Sequence, residues 1–313
     1  MLDAVKTFAF QIDWRYALEL LLSGLTKGSI YALISLGYTM VYGIIELINF
    51  AHGEIYMLGA FTGLIVAGLL GAMGFPAAGI LVIGAVAAVI WCAAYGFTME
   101  KIAYRPLRGA QRLSPLISAI GMSIFLQNYV LIAQTQDFVR YPYLLPDMAF
   151  LDPISDILRP TSFLIIVTSA AVMICLTLFI KYTRLGKAMR ATAQNRKMAM
   201  LLGIDADRII SATFIVGSAL AAVGGILIAS HTQQINFNIG FLAGIKAFTA
   251  AVLGGIGSIP GAMLGGLVLG CCESFAAGYF LSDYEDLVAF AILILILIFR
   301  PSGLLGKEKV QKV

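Results

Sequence analysis

Uncharged runs mark this chain more plainly than any periodic pattern does. No Asp, Glu, Lys, Arg or His occurs between Gly28 and Ile45, Ile55 and Met99, Leu113 and Gln136, Thr161 and Ile180, Ile209 and Ser230, or Ala247 and Cys272. Apolar residues fill these runs continuously instead of recurring at helical or strand spacing, which is the pattern of membrane spans and not of a soluble core. About 20 residues cross a hydrocarbon layer roughly 30 Å thick. The run from Ile55 therefore predicts a helical hairpin, bent near Gly71 to Pro76. The stretch from Phe241 to Phe299 is also too long for one span; Gly254 to Gly261, reading GGIGSIPG, divides it once, and Ser282 to Asp286, reading SDYED, divides it again. The pieces add up to about eight or nine transmembrane helices. The expected fold is an all-α, polytopic integral membrane protein, a single domain over residues 1–313.

Basic residues give the expected orientation, because short cytoplasmic loops carry an excess of Lys and Arg. Lys101, Arg105, Arg108 and Arg112 lie in one loop, and Lys181, Arg184, Lys187, Arg190, Arg196, Lys197 and Arg208 in another. Arg300, Lys307, Lys309 and Lys312 make the tail a third basic segment. The segment between the two loops, 135–160, is rich in aspartate, and SDYED is acidic, so both fit the opposite side. Nine spans with the amino terminus outside and the carboxy terminus cytoplasmic satisfy all of these segments. Residues 1–16 lack the small-residue cleavage pattern of a secretory signal and read as an uncleaved tail.

Composition agrees: 60% of the 313 residues are hydrophobic and 12% charged, too little polar surface for a water-facing shell. The net charge of +4 reads as a topology signal beside a membrane and not as nucleic-acid binding. Cys92, Cys175, Cys271 and Cys272 sit in apolar runs without CxxC spacing and read as small buried hydrophobes, so neither a metal site nor a disulfide framework is expected. Enzyme motifs are absent: no HExxH, no GxSG, no GxxxxGK[ST] phosphate loop, and only two histidines, His52 and His231, far apart. No cofactor is expected on this chain. If ATP drives the protein, hydrolysis occurs on a separate subunit that needs a docking surface here.

The segment 182–208, YTRLGKAMRATAQNRKMAMLLGIDADR, is the candidate, with helix expected from Lys187 to Leu202 and Gly203 ending it. Such a helix can insert into a cleft on a motor subunit, or it can lie on anionic lipid. Its pattern is similar to the coupling segment of LivH-type permeases of branched-chain amino acid uptake systems, with Gly186, Arg190, Ala191, Leu201, Leu202, Gly203 and Ile204 matching. The resemblance extends over GSIYALISLGYTMVYGII from Gly28, LINFAHGEIYMLGA from Leu47, PLISAIGMSIFLQNYV from Pro115 and KAFTAAVLGGIGSIPGAMLGG from Lys246. Residues 1–16 and the segment 135–160 carry no distinctive family motif, and Lys27 departs from the apolar residue common before Gly28-Ser29; it reads as a snorkelling lysine.

The resemblance implies an importer of the inner membrane driven by ATP-binding cassette subunits. It implies a second, LivM-like permease subunit, two cytoplasmic ATPases holding ATP and Mg, and an extracytoplasmic amino-acid-binding protein. Leucine, isoleucine and valine are the usual substrates, and relatives carry other neutral amino acids, urea or short amides. The resemblance places coupling on Gly186, Arg190, Ala191, Gln194, Leu202 and Gly203. An ion-coupled transporter or channel would show intramembrane charges at several depths, and this chain has few.

Several polar residues are candidates for the translocation route. Asn49, His52 and Glu54 in INFAHGE either line it or cap the next helix. Gln127 and Asn128 need partners within a span, as glue between helices or as pathway lining. Glu273 interrupts an apolar run and should face protein or water. Gln234, Asn236 and Lys246 lie on the approach to GGIGSIPG, where Gly254, Gly255 and Gly257 form either a re-entrant segment or a plain turn. Spacings of GxxxG at Gly24/Gly28, Gly59/Gly63, Gly261/Gly265 and Gly266/Gly270 point to close helix packing.

Overall fold

The computed structural model describes residues 14–111, 113–144, 158–280 and 284–306. Arg112, the middle of the 135–160 segment, part of SDYED and the tail lysines Lys307, Lys309 and Lys312 lie outside the described residues, as do residues 1–13. The chain runs through α1 (Trp14–Ile45), α2 (His52–Ala72), α3 (Ala77–Met99), a π turn (Glu100–Tyr104), a 3-10 turn (Arg105–Leu107), α4 (Leu113–Ala133), β1 (Val139–Arg140), α5 (Pro160–Tyr182), α6 (Arg184–Gln194), α7 (Arg196–Leu201), α8 (Ala206–Thr232), β2 (Gln234–Ile235), α9 (Ile239–Gly254), α10 (Ile259–Tyr279) and α11 (Glu285–Phe299). Seven helices among the described residues are long and apolar enough to cross a membrane. The protein is a polytopic helical membrane protein. Two expected spans, α9 and α11, have 16 and 15 residues. At 1.5 Å per residue each is about 22–24 Å long, short of the hydrocarbon thickness.

The centre of the fold is α1, which is buried on every side from Gly28 to Val41, as a helix apolar all round should be. It packs against α10 along nearly its whole length, from Tyr16 Oη, which donates to the Gly278 carbonyl at 2.9 Å, to Ser35 Oγ, which donates to the Ala262 carbonyl at 3.0 Å. Small residues make this possible: a Cβ on Gly24 would sit 2.7 Å from Cys271 Cα, and one on Gly28 would sit 2.8 Å from Leu267 Cα. The other glycine pairs line seams too, Gly59 against Ala222 of α8 and Gly261 against Gly254 of α9. In lipid, where no hydrophobic force pulls helices together, such close backbone approach supplies the packing energy. Helices α3, α4 and α5 instead expose apolar faces, with Ile90 at 64%, Ile132 at 81% and Ile174 at 61%, the surface a bilayer would cover.

The two basic loops meet at one end of the bundle, where Arg105 and Arg196 both bond Asp207. The tail joins them, since Leu304 and Leu305 donate backbone bonds to the carbonyls of Leu253 and Gly254. At the opposite end β1 and β2 pair antiparallel, Val139 with Ile235 and Arg140 with Gln234.

Three readings of the sequence change, the first being Cys175, expected as a buried residue but exposed on α5. The helix expected over Lys187 to Leu202 is two helices, because Asn195 adopts extended backbone (φ −158°, ψ 105°) and its side chain accepts from Met198 N at 3.1 Å to start α7. A short side chain that bonds the backbone locally competes with a continuous helix. Lys27 does not snorkel to solvent: its Nζ bonds Glu285 Oε1 at 2.7 Å across the gap between α1 and α11.

Candidate functional site

The polar residues of INFAHGE form a buried spine at the start of α2. Asn49 Oδ1 accepts from Ala51 N at 3.1 Å and from Tyr104 Oη at 2.7 Å, tying the α1–α2 connection to the π turn below α3. His52 is 1% exposed and sits edge-on to Tyr38 with ring centroids 4.9 Å apart. Gly37 leaves room for that imidazole, since a Cβ there would lie 2.5 Å from His52 Cε1. Glu54, wholly buried, accepts from Ser123 Oγ of α4 at 3.0 Å, while its Oε2 has no hydrogen-bond partner among the described residues. Its place in the first turn of α2 sets the carboxylate at the positive end of a helix dipole, which offsets part of its burial cost.

Beside this spine lies a cavity of about 300 Å³, lined by Tyr38, Phe50, Ile120, Ser123, Ile124, Gln127, Phe241, Gly244 and Ile245. Three aliphatic and two aromatic apolar side chains make most of its wall, with a hydroxyl, a phenol and an amide among them. Gln127 Nε2 donates to Asn238 Oδ1 at 2.8 Å, a link from α4 to the start of α9. Asn128 turns away and bonds its own helix at the Ile124 carbonyl, 2.8 Å. Gln234 lies exposed in β2, and Asn236 is half-buried in the turn before α9.

Lys246 and Glu273 come together elsewhere. Lys246 Nζ lies 3.4 Å from Glu273 Oε1, 3.8 Å from Glu285 Oε1 and 2.7 Å from Asp286 Oδ1, and Tyr31 Oη donates to Glu273 Oε2 at 2.9 Å. The cluster joins α1, α9, α10 and α11, with Lys27 completing it through Glu285. Tyr31, Glu285 and Asp286 had no signal in the sequence beyond the acidity of SDYED. Together with His231, Lys27, Tyr31 and Glu285 border a second cavity of about 440 Å³ at that end.

The glycines of GGIGSIPG form a turn between α9 and α10: Gly255 and Gly257 take positive φ (103° and 92°), and Ser258 Oγ accepts from Gly261 N at 3.2 Å to cap α10. The carbonyl of Gly254 is bonded by Leu305 N at 2.9 Å. No group of three or more His, Cys, Asp or Glu is placed to hold a metal among the described residues.

In the basic segment, Thr183 Oγ1 accepts from Gly186 N at 3.0 Å and caps α6, and Gly186 packs so closely that a Cβ would lie 2.5 Å from Ile180 Cα. Arg190 Nη2 bonds the Lys181 carbonyl at 3.2 Å, and Ala191 O accepts from Asn195 N. Gln194 and Leu202 are exposed, and Gly203 takes φ 82° to turn the chain toward α8.

Comparison with known proteins matches residues 20–297 to the model described as branched-chain amino acid transport system / permease component. The high-affinity branched-chain amino acid transport system permease protein BraD of Pseudomonas aeruginosa is 54% identical over 300 residues, 95% of this chain and 98% of that protein. The permease protein LivH of the corresponding system in Escherichia coli strain K12 is 49% identical over 302 residues, again 95% and 98%. Among solved structures, PsaBC from Streptococcus pneumoniae in complex with Fab aligns with a TM-score of 0.45 at 12% identity, covering 96% of this chain and 95% of that one. With the family model spanning most of the sequence and relatives near half identity along almost their full length, the chain belongs to the permease-component family of branched-chain amino acid transport systems.

Proposed function

We propose that this chain is a transmembrane permease subunit of an ATP-driven importer of branched-chain amino acids in the bacterial inner membrane. The observation that carries the reading is its identity of 54% and 49% to two permeases named for that transport. The cavity between α1, α4 and α9 supports the substrate class. Its apolar wall suits an aliphatic side chain, with Ser123, Gln127 and Tyr38 available to a zwitterion's polar end, whereas urea would leave most of that wall unused. Asn49, His52 and Glu54 lie behind this wall in the same reading, with Glu54 reached through Ser123.

The same reading assigns the end carrying the basic loops to the cytoplasm. There α6 and α7 dock a cytoplasmic ATPase subunit that binds ATP and Mg, with a second permease subunit and an extracytoplasmic binding protein completing the importer. Helix α7 suits docking because it is a short element that presents Leu201 at its end and Leu202 directly after it, 81% and 79% exposed. The test is uptake by a complete importer, co-reconstituted in vesicles with ATP supplied to the ATPase side. Labelled leucine should accumulate with ATP and be displaced by isoleucine and valine; accumulation of urea in place of leucine would contradict the substrate assignment.

A further inference from the structure

The end of the bundle that carries the basic loops holds a charge network that lies apart from both cavities described above. Asp207, in the first turn of α8, is its hub. Its Oδ1 accepts from Arg108 at 2.5 Å and from Arg196 at 3.2 Å, and its Oδ2 accepts from Arg105 at 3.0 Å. Arg108 also bonds Glu100, which is wholly buried, and Ser211 Oγ donates to the other Glu100 oxygen at 2.6 Å. Three separate stretches of chain meet here: the end of α3, the base of α7 and the start of α8.

Two features set this network apart from ordinary surface ion pairs. Helix α7 is a six-residue element between the extended Asn195 and the left-handed Gly203, with Ala199 as its one buried residue. Arg196 at its base is therefore a main point of attachment to the body of the fold. Glu100 is the first residue of the π turn, where α3 leaves regular geometry before the 3-10 turn. Wider turns of this kind inside helices are places where a helix can shift register, and they recur at functional sites. The same π turn carries Tyr104, whose hydroxyl bonds Asn49 in the spine leading to His52 and Glu54. Polar contacts thus run from Arg196 at the base of α7 through Asp207 and Arg108 to Glu100, the backbone of the π turn joins Glu100 to Tyr104, and the Tyr104 hydroxyl bonds Asn49.

We infer that the Asp207 hub and the π turn transmit movement of the α6–α7 segment to the start of α2, so that Arg196 and Tyr104 are positioning residues for ATP-coupled transport. The inference rests on the importer reading given above. Both charged bonds and rigid helix ends suit the task, because a network of this kind passes a displacement on as one body and does not stretch. Arg196 is also placed to be cut without harm to the fold, since its side chain and that of Asp207 are each more than a third exposed.

The experiment uses the complete importer co-reconstituted in vesicles, and reads ATP hydrolysed per labelled leucine taken up, together with co-purification of the ATPase subunits. Arg196→Gln should leave the ATPases bound and still hydrolysing while leucine uptake falls, so that ATP spent per leucine rises on the order of tenfold, the scale of typical coupling between sites. Arg196→Lys, which keeps one charged donor, should recover part of the coupling. Tyr104→Phe removes only the hydroxyl and should shift the ratio in the same direction, and the double variant should be no worse than the more severe single one. An unchanged ratio in Arg196→Gln, whether uptake and hydrolysis both persist or both fall together, overturns the inference. Additive effects of Arg196→Gln and Tyr104→Phe overturn the single path joining them. Failure of the unaltered importer to take up leucine with ATP is a different result, and it removes the importer reading itself.

Discussion

The two charge networks of this protein use the same chemistry in unlike surroundings. At one end Lys246 and Glu273 have side chains 11% and 0% exposed and belong to α9 and α10, with Tyr31 of α1 bonded to the same carboxylate. At the other end Asp207, Arg105 and Arg196 are 39%, 46% and 38% exposed and belong to helix ends and connections. Breaking a buried pair strands a charge where nothing else can solvate it, whereas breaking a half-exposed pair returns both partners to water. The first network therefore holds helices together. The second has a buried inner pair, Arg108 and Glu100 at 9% and 0% exposed, and its outer pairs of Asp207 with Arg105 and Arg196 contribute little to stability and are free to serve in coupling.

The largest effect should come from Lys246→Met, which leaves Glu273 facing Tyr31 without its nearest cation. Loss of one partner of a buried pair costs about 3–5 kcal/mol, so the detergent-solubilised protein should lose a large part of its thermal stability in a fluorescence-detected melt. A melting profile equal to that of the unaltered protein would erase the distinction between the networks. A smaller effect is expected of Glu273→Gln, which keeps the shape and the bond from Tyr31 while removing charge from a cluster in which acids outnumber cations locally. Uptake should be largely retained, and the preference for leucine over urea in competition should not change; a changed preference would make Glu273 a specificity residue. The smallest effect on stability belongs to Arg196→Gln, within roughly 0.5 kcal/mol of the unaltered protein, as for a surface substitution. A destabilisation as large as that of Lys246→Met would mean that the Asp207 hub is a structural clamp like its counterpart.

The sequence allows the membrane helices to be placed because charge-free runs of suitable length leave little other choice in lipid. Their pairing was partly legible as well: Gly24, Gly28, Gly266 and Gly270 fall on one seam, where four-residue spacing brings small residues to one helix face. Asn195 was not legible as a break, since Ala, Met, Arg and Lys on both sides favour helix and only the side-chain bond to Met198 N reveals the stop. Lys27 was misread for a similar reason. Its partner Glu285 lies 258 residues away, and no local pattern reports a contact at that distance. Glu100 and Asp207 had a faint signal, as acids at the edges of strongly basic loops, but counting them as loop charges hid the pairing that folding creates.

The claim that the Asp207 network moves as one body with α7 can be measured directly by the distance between spin labels on Lys197 of α7 and Ile102 of the π turn, both exposed. The four native cysteines are replaced first, and the complete importer is examined without nucleotide and with ATP trapped. The account predicts one narrow distance distribution that does not shift between the two states, and a broadened one in the Arg196→Gln background. A distance that changes between states in the unaltered importer, or a distribution in Arg196→Gln as narrow as in the unaltered protein, would contradict it.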